Sequence, residues 1–296
     1  MLGLITCFFN PTNSKTLKSN YLEFRKHLNH PIVTVELAFD KQPFFIDDAI
    51  QIRGSQKNIM WQKERLLNLA LKSLPKNIDK VAWLDADIIF KNKNWFQETE
   101  DQLERYPVVQ LFETSRELVE TPDPVNHGVG FAKYLADNRG LKPWPRYWPT
   151  IGLAWAARKS VLSNGFFDKH ILGTNDSLQF IAWLGLWNHN HVNCLNPYLR
   201  KDFLEWGWTI HQEVSKTLGY VSGEVIHLPH GSRVNRQYYR RDSVLVKHQF
   251  NPALDIIENS DGIYEWKSNK VLLQDEVKRY FQERKDDEIN HKKGLF

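Results

Sequence analysis

The sequence predicts an α/β fold with a Rossmann-like, mainly parallel central sheet flanked by helices. Strand-like and helix-like segments alternate through residues 1–112, one strand is apolar without alternation, and no internal repeat interrupts the pattern. "LGLITCFF" (2–9) has the composition of a strand. "KTLKSNYLEFRKHL" (15–28) then sets Leu17, Tyr21, Phe24 and Leu28 on one helical face, and "PIVTVELAF" (31–39) and "AIQIRG" (49–54) return to strand. "NIMWQKERLLNLALKSLP" (58–75) aligns Trp61, Leu67, Leu71 and Leu74 as a helix that stops near Pro75. "KVAWLDADIIF" (80–90) reads as one further strand, whose near-continuous apolar character suits burial on both faces of a parallel sheet. "WFQETEDQLERYP" (95–107) and "VVQLF" (108–112) add another helix and strand.

The texture changes after about Glu113. "ETPDPVNHGVG" (120–130) and "NRGLKPWPRYWPT" (138–150) are rich in Pro, Gly and aromatic residues, which suggests long ordered loops over a cleft. Residues 151–187 offer a strand, a short helix, a glycine-containing loop and a second helix. "DEVKRYFQERKDDEINHKK" (275–293) is a charged amphipathic helix expected to fray into a polar end.

With 296 residues and 42% hydrophobic content the chain can build a substantial core, which excludes disorder over most of its length. The formal net charge of +4 tilts it towards acidic partners without naming one. Cys7 and Cys194 lie far apart and lack metal-type spacing, so neither a disulfide framework nor a structural zinc site is expected, and a reducing cytoplasm is the natural location. The apolar "MLGLITCFFNP" lacks a basic leader and a cleavage site, and no apolar run approaches the roughly 20 residues needed to span a bilayer. Of 11 tryptophans, seven fall between Trp144 and Trp208, where they serve either as core or as flat surfaces for sugar rings.

Four groups of residues carry the candidate chemistry. Asp85 and Asp87 end the most strand-like segment, and period-two geometry would set both carboxylates on the same side, at the strand end where open α/β sheets bind ligands. A divalent cation is the commonest compensation for such a pair; the alternative is that one aspartate caps a turn and the other pairs with Lys91 or Lys93. "HLPHGSRVNRQYYRRD" (227–242) holds His227 and His230, able to complete a metal site, with Arg233, Arg236, Arg240 and Arg241 suited to a diphosphate, or else forms a solvated basic loop. In "GTNDSLQF" (173–180), Asp176 is either a helix N-cap or a general base. On "WQKERLLN" (61–68), Gln62, Lys63, Glu64 and Asn68 are polar positions on a helix that otherwise packs, and a charged outer face explains most of them.

Together these pieces resemble the GT-A class of nucleotide-sugar glycosyltransferases, with "VAWLDADIIF" matching its D-x-D strand and "VIHLPHG" its later metal-binding histidine. "NPTNS", "WQKERLLN", "HGSRVNRQYYRR" and "FNPALDI" further resemble a bacterial and phage group of glycosyltransferase-like proteins. The resemblance implies one GT-A domain over residues 1–245, with a donor half (1–113) and an acceptor-side half (114–245), and a packed C-terminal extension (246–296) that ends in a helix. It implies Mn2+ or Mg2+ held by Asp85, Asp87 and His230, with His227 as the alternative histidine. Thr6, Phe8, Asn10, Gln62, Lys63, Asp85, Ala86, Arg233 and Arg236 would bind the donor, a nucleotide-diphosphate sugar with UDP favoured, and Asp176 would be the base of an inverting transfer. The acceptor would be a glycan or small molecule, or alternatively hydroxymethylated phage-type DNA. A non-catalytic nucleotide-sugar or carbohydrate binding protein is the reading from another class.

Overall fold

A computed structural model describes residues 1–118, 127–138, 149–215, 217–232, 234–238 and 240–288. In chain order the first half runs β1 (Leu2–Phe9), α1 (Lys15–His27), β2 (Val33–Phe39), β3 (Ile50–Gly54), α2 (Lys63–Ser73), β4 (Lys80–Leu84), β5 (Ile88–Phe90), α3 (Trp95–Arg105) and β6 (Val108–Gln110). Then follow β7 (Thr114–Glu117), β8 (His127–Val129), α4 (Phe131–Asn138), β9 (Ala154–Arg158), α5 (Asn175–Leu184), α6 (Asn190–Asn193) and α7 (Pro197–Val214). The chain continues through β10 (Leu218–Tyr220), β11 (Glu224–His227), α8 (Arg241–Lys247), α9 (Pro252–Asp255), β12 (Ile256–Glu258), β13 (Tyr264–Trp266) and α10 (Val271–Glu283).

Seven strands form the central sheet in the order β10-β6-β9-β4-β1-β2-β3. It is parallel throughout except for β9, which runs antiparallel between β4 and β6. This is the mainly parallel α/β architecture expected from the alternating pattern. Period two explains its two cores: Ile5, Val81 and Trp83 point to one face, whereas Leu2, Leu4, Ala82 and Leu84 point to the other. Leucines of α2 and the apolar faces of α5 and α7 cover the first, and Tyr21 and Phe24 of α1 with Leu103 of α3 cover the second.

One expectation needs correction. "KVAWLDADIIF" is two strands of different sheets, because the chain leaves the central sheet after Leu84, turns through Asp85 to Asp87, and enters the four-stranded sheet β5-β11-β7-β8. Two desolvated charges cannot continue a buried ladder, so the strand ends where they begin.

Residues 250–281 share the first core through Phe250, Ile256, Ile263, Tyr264, Leu273, Val277 and Phe281. The expected fraying after the last helix is also corrected as far as Glu288: Asp287 Oδ1 accepts from Ser14 Oγ at 2.6 Å and from the Thr16 amide at 2.8 Å, tying this segment to the start of α1. Residues 289–296 lie outside the described residues.

Trp155 and Trp183 are core residues with ring centroids 4.8 Å apart, and Trp144 and Trp148 lie outside the described residues. Trp183 is 2% exposed, so Trp183→Ala is expected to lower stability by about 3–5 kcal/mol in urea unfolding. A loss under about 1 kcal/mol would show that this face of the sheet is loosely packed.

Candidate metal and donor site

A cleft of about 2290 Å³ opens at the carboxyl ends of β1 and β4. Ordinary ligand pockets hold roughly 300–1,000 Å³, so there is room for two substrates.

The turn after β4 builds its centre. The Asp87 carbonyl accepts from the Leu228 amide at 2.8 Å, and β5 pairs antiparallel with β11 in the register His227↔Ile88. That register carries His227 beside Asp87 despite 140 residues of separation, and His230 follows one short turn later. His230 Nε2 lies 3.0 Å and His227 Nε2 3.5 Å from Asp87 Oδ2. One ligand atom from each of the three residues lies within 4.8 Å of the other two, and Asp87 Oδ1 is buried without a hydrogen-bond partner. A buried carboxylate oxygen left over beside two imidazoles fits the donor set of a divalent transition metal. Burial disfavours the Asp87 charge, but the two histidines outweigh it and hold the carboxyl well below the usual range. Burial likewise disfavours imidazolium at His227, yet Asp87 and Glu117 push that residue up to about 9.

A second charged group sits in the same cleft. Asp85 Oδ1 pairs with Lys63 Nζ at 2.6 Å, and Lys63 Nζ lies 3.4 Å from Asp176 Oδ1. Burial opposes the Lys63 charge, but Asp176, Asp85 and Glu64 outweigh it and raise its pKa well above the ordinary value. Asp176 lies in the first turn of α5, launched by Gly173 (φ +89°) and Thr174 (φ +78°). A β-branched residue in the left-handed region is an outlier that its surroundings must hold. Here Thr174 Oγ1 donates to Asp242 Oδ1 at 2.8 Å and accepts from Arg241 Nε at 3.1 Å. Asn175 Nδ2 donates to Glu64 Oε2 at 2.7 Å. The N-cap is Thr174, so capping does not explain Asp176.

Burial pushes the Glu64 carboxyl up to about 8, with Lys63 pulling the other way and Asp176 adding to the rise. Because the folded value lies above the ordinary 4.5, the folded chain holds this proton more tightly than the unfolded one. The associated stability is complete below pH 4.5 and is lost as pH rises through 8. Glu64→Gln keeps an oxygen for Trp61 and Asn175, so the wild-type urea midpoint is expected to fall relative to the variant across that window. Parallel pH profiles for the two proteins would refute it.

No protein-family model matches the chain, and no curated protein matches it significantly. Among solved structures it is similar to S. aureus TarS, with a TM-score of 0.42 and 10% identity over 84% of this chain, which spans 38% of TarS. It is similar to glucosyl-3-phosphoglycerate synthase from Mycobacterium tuberculosis, solved with Mg2+ and UDP, at a TM-score of 0.36 and 13% identity over 77% of this chain and 71% of that one. A 4-diphosphocytidyl-2C-methyl-D-erythritol synthase from Anaerococcus prevotii has a TM-score of 0.33 at 11% identity, over 95% and 96% of the two chains. Likenesses at these scores transfer no activity, and the chemistry of the cleft rests on its own residues.

Several residues expected at the donor site are turned away from it. Thr6 is fully buried and donates to the Leu84 carbonyl at 2.7 Å. Asn10 clamps the backbone of Ser14 through both amide atoms. Gln62 is fully buried, donating to the Tyr264 carbonyl at 2.7 Å and accepting from the Tyr264 amide at 3.1 Å. Their hydrogen-bonding groups are spent on the fold, so none of the three side chains lines the cleft. Phe8, Lys63, Ala86 and Arg236 do line it. Asp85 does not belong to the Asp87–His227–His230 group and pairs with Lys63 instead. Neither aspartate is paired with Lys91 or Lys93, and Arg233 lies outside the described residues. Trp61 is the one tryptophan among the described residues that lines the cleft.

Sequence reasoning missed Glu117, whose Oε1 lies 3.6 Å from His227 Nδ1. It also missed Arg284 and Asp286, which line the cleft from beyond the last helix. "ERKDDE" looks like any solvated tail, and only the fold brings it to His230.

Proposed function

We propose that the chain is a metal-dependent glycosyltransferase that moves a sugar from a nucleotide-diphosphate donor, UDP-sugar favoured, to an acceptor hydroxyl with inversion. The supporting observation is the convergence of Asp87, His227 and His230 in a cleft that also holds Asp176. Bound by these three residues, Mn2+ or Mg2+ supplies charge neutralisation for a diphosphate leaving group. Asp85 faces the ribose in this reading, and Phe8 with Ala86 packs against the nucleoside. The Lys63 ammonium holds the Asp85 and Asp176 carboxylates side by side. Asp176, half-exposed to the cleft, then accepts the proton of the acceptor hydroxyl at a carboxylate oxygen.

Arg236 has two tasks. Its Nη2 lies 3.2 Å from His230 Nε2, the ring nitrogen that faces Asp87. A single lone pair cannot serve both a guanidinium and a metal, so Arg236 gives up this contact when the ion binds; Nη2 keeps its bond to the His230 carbonyl at 2.8 Å, and the released N–H is free to take a phosphate oxygen. Arg236→Ala is therefore expected to tighten Mn2+ binding in the absence of nucleotide. It is also expected to weaken UDP binding with Mn2+ present by about 10- to 100-fold, the value of a lost charged hydrogen bond. Isothermal titration of both ligands checks the opposite signs; equal signs would refute the exchange.

The reading is tested by screening UDP, GDP, CMP and TDP sugars for Mn2+-dependent binding and hydrolysis. The best donor is then offered with glycan and with hydroxymethylated DNA acceptors. Absence of Mn2+-dependent binding for every donor would sink it, and donor binding without hydrolysis or transfer would favour a non-catalytic binding protein.

A further inference from the structure

We infer that Asp286 is a positioning residue for the proposed metal centre: it takes the Nδ1–H of His230, fixes the ring, and leaves Nε2 aimed at the cation site. The inference rests on the metal reading above. His230 Nδ1 lies 3.3 Å from Asp286 Oδ1, while Nε2 on the far side of the ring lies 3.0 Å from Asp87 Oδ2. An imidazole gripped at one nitrogen by a carboxylate is held in the tautomer and orientation that a metal needs at the other, and it becomes a more basic ligand.

Asp286 is itself fixed. Arg284 donates to its Oδ1 from Nη2 at 3.1 Å and to Oδ2 from Nε at 3.3 Å, and both residues are buried. The Arg284 guanidinium lies 5.3 Å from the Trp61 ring centroid, on the cleft wall. Two backbone features dock this segment on the histidine turn. The Gly231 amide donates to the Asp286 carbonyl at 3.1 Å. Gly231 has φ +55°, and a Cβ there would fall 2.7 Å from the Arg284 carbonyl oxygen. Only glycine permits that approach without a shift, so the residue after the ligand is shaped to receive the residues around Asp286.

Asp287 separates this role from simple anchoring. Its carboxylate holds the same segment, but through Ser14 Oγ and the Thr16 amide rather than through His230. The experiment measures Mn2+ affinity of the full chain without nucleotide, by the electron paramagnetic resonance signal of free Mn2+, alongside the thermal midpoint. Asp286→Ala and Asp286→Asn are expected to lower Mn2+ affinity, by about 10- to 100-fold for the alanine and less for the asparagine. Asp287→Ala is expected to lower the thermal midpoint and leave Mn2+ affinity within twofold. If Asp286→Ala does not fold, Asp286→Asn carries the test. Asp87→Ala distinguishes the two levels of failure. Loss of Mn2+ binding in Asp87→Ala with unchanged affinity in the Asp286 variants overturns the inference alone. Unchanged affinity in Asp87→Ala removes the metal centre and the inference together, and an equal loss in Asp287→Ala and Asp286→Ala reduces Asp286 to an anchor.

Discussion

Asp87→Ala is expected to reduce metal-dependent donor turnover by about 10²–10³-fold at saturating donor, the loss typical of removing one preorganised group that stabilises developing charge. Asp87 is the only carboxylate among the described residues that faces both His227 and His230, so nothing adjacent replaces it. Its carbonyl remains bonded to the Leu228 amide whatever the side chain, and Glu117 and Asp286 still face His227 and His230. The fold should therefore persist, as circular dichroism would show, while Mn2+ titration of donor hydrolysis no longer saturates. Near-wild-type turnover with metal supplied would remove Asp87 from the mechanism.

Asp176→Asn should separate the two halves of the reaction. The variant retains the size of the side chain and the strained Gly173–Thr174 turn, and it leaves the Asp87 cluster untouched. Donor affinity is expected within about threefold of wild type, whereas transfer to acceptor falls by about 10²–10⁴-fold, the usual contribution of a general base. Loss of one carboxylate also leaves Lys63 with Asp85 as its nearest partner. Donor hydrolysis and acceptor transfer, measured in parallel, distinguish the roles: equal loss in both would assign Asp176 to donor binding or structure instead.

Much of the fold was legible because it follows from local patterns. The uninterrupted apolar stretches around Ile5 and Val81 have to be buried on both faces, and the spacing of Tyr21 and Phe24 has to be a helix. The small sheet was not legible, since β5, β7, β8 and β11 have only three or four residues each. That gap hid the pairing of β5 with β11, and with it the reason why His227 meets Asp87. Thr6, Asn10 and Gln62 were misplaced for a related reason. A polar residue beside a strand end looks the same in sequence whether it faces a ligand or closes a backbone turn. Lys63, a donor-binding candidate in the sequence that outer-face charge would equally explain, lies buried between two cleft carboxylates.

The placement of Arg284 and Asp286 has a consequence for how the protein comes into being. The cleft draws on Phe8, Lys63, Asp87, Asp176, His230 and Asp286, so its wall is gathered from nearly the whole length of the polypeptide. Whatever the order in which the strands assemble, His230 gains its carboxylate partner only once residue 286 is free to fold back onto it. A nascent chain halted after α10 would carry the sheet and all three proposed metal ligands, yet hold one of them loosely.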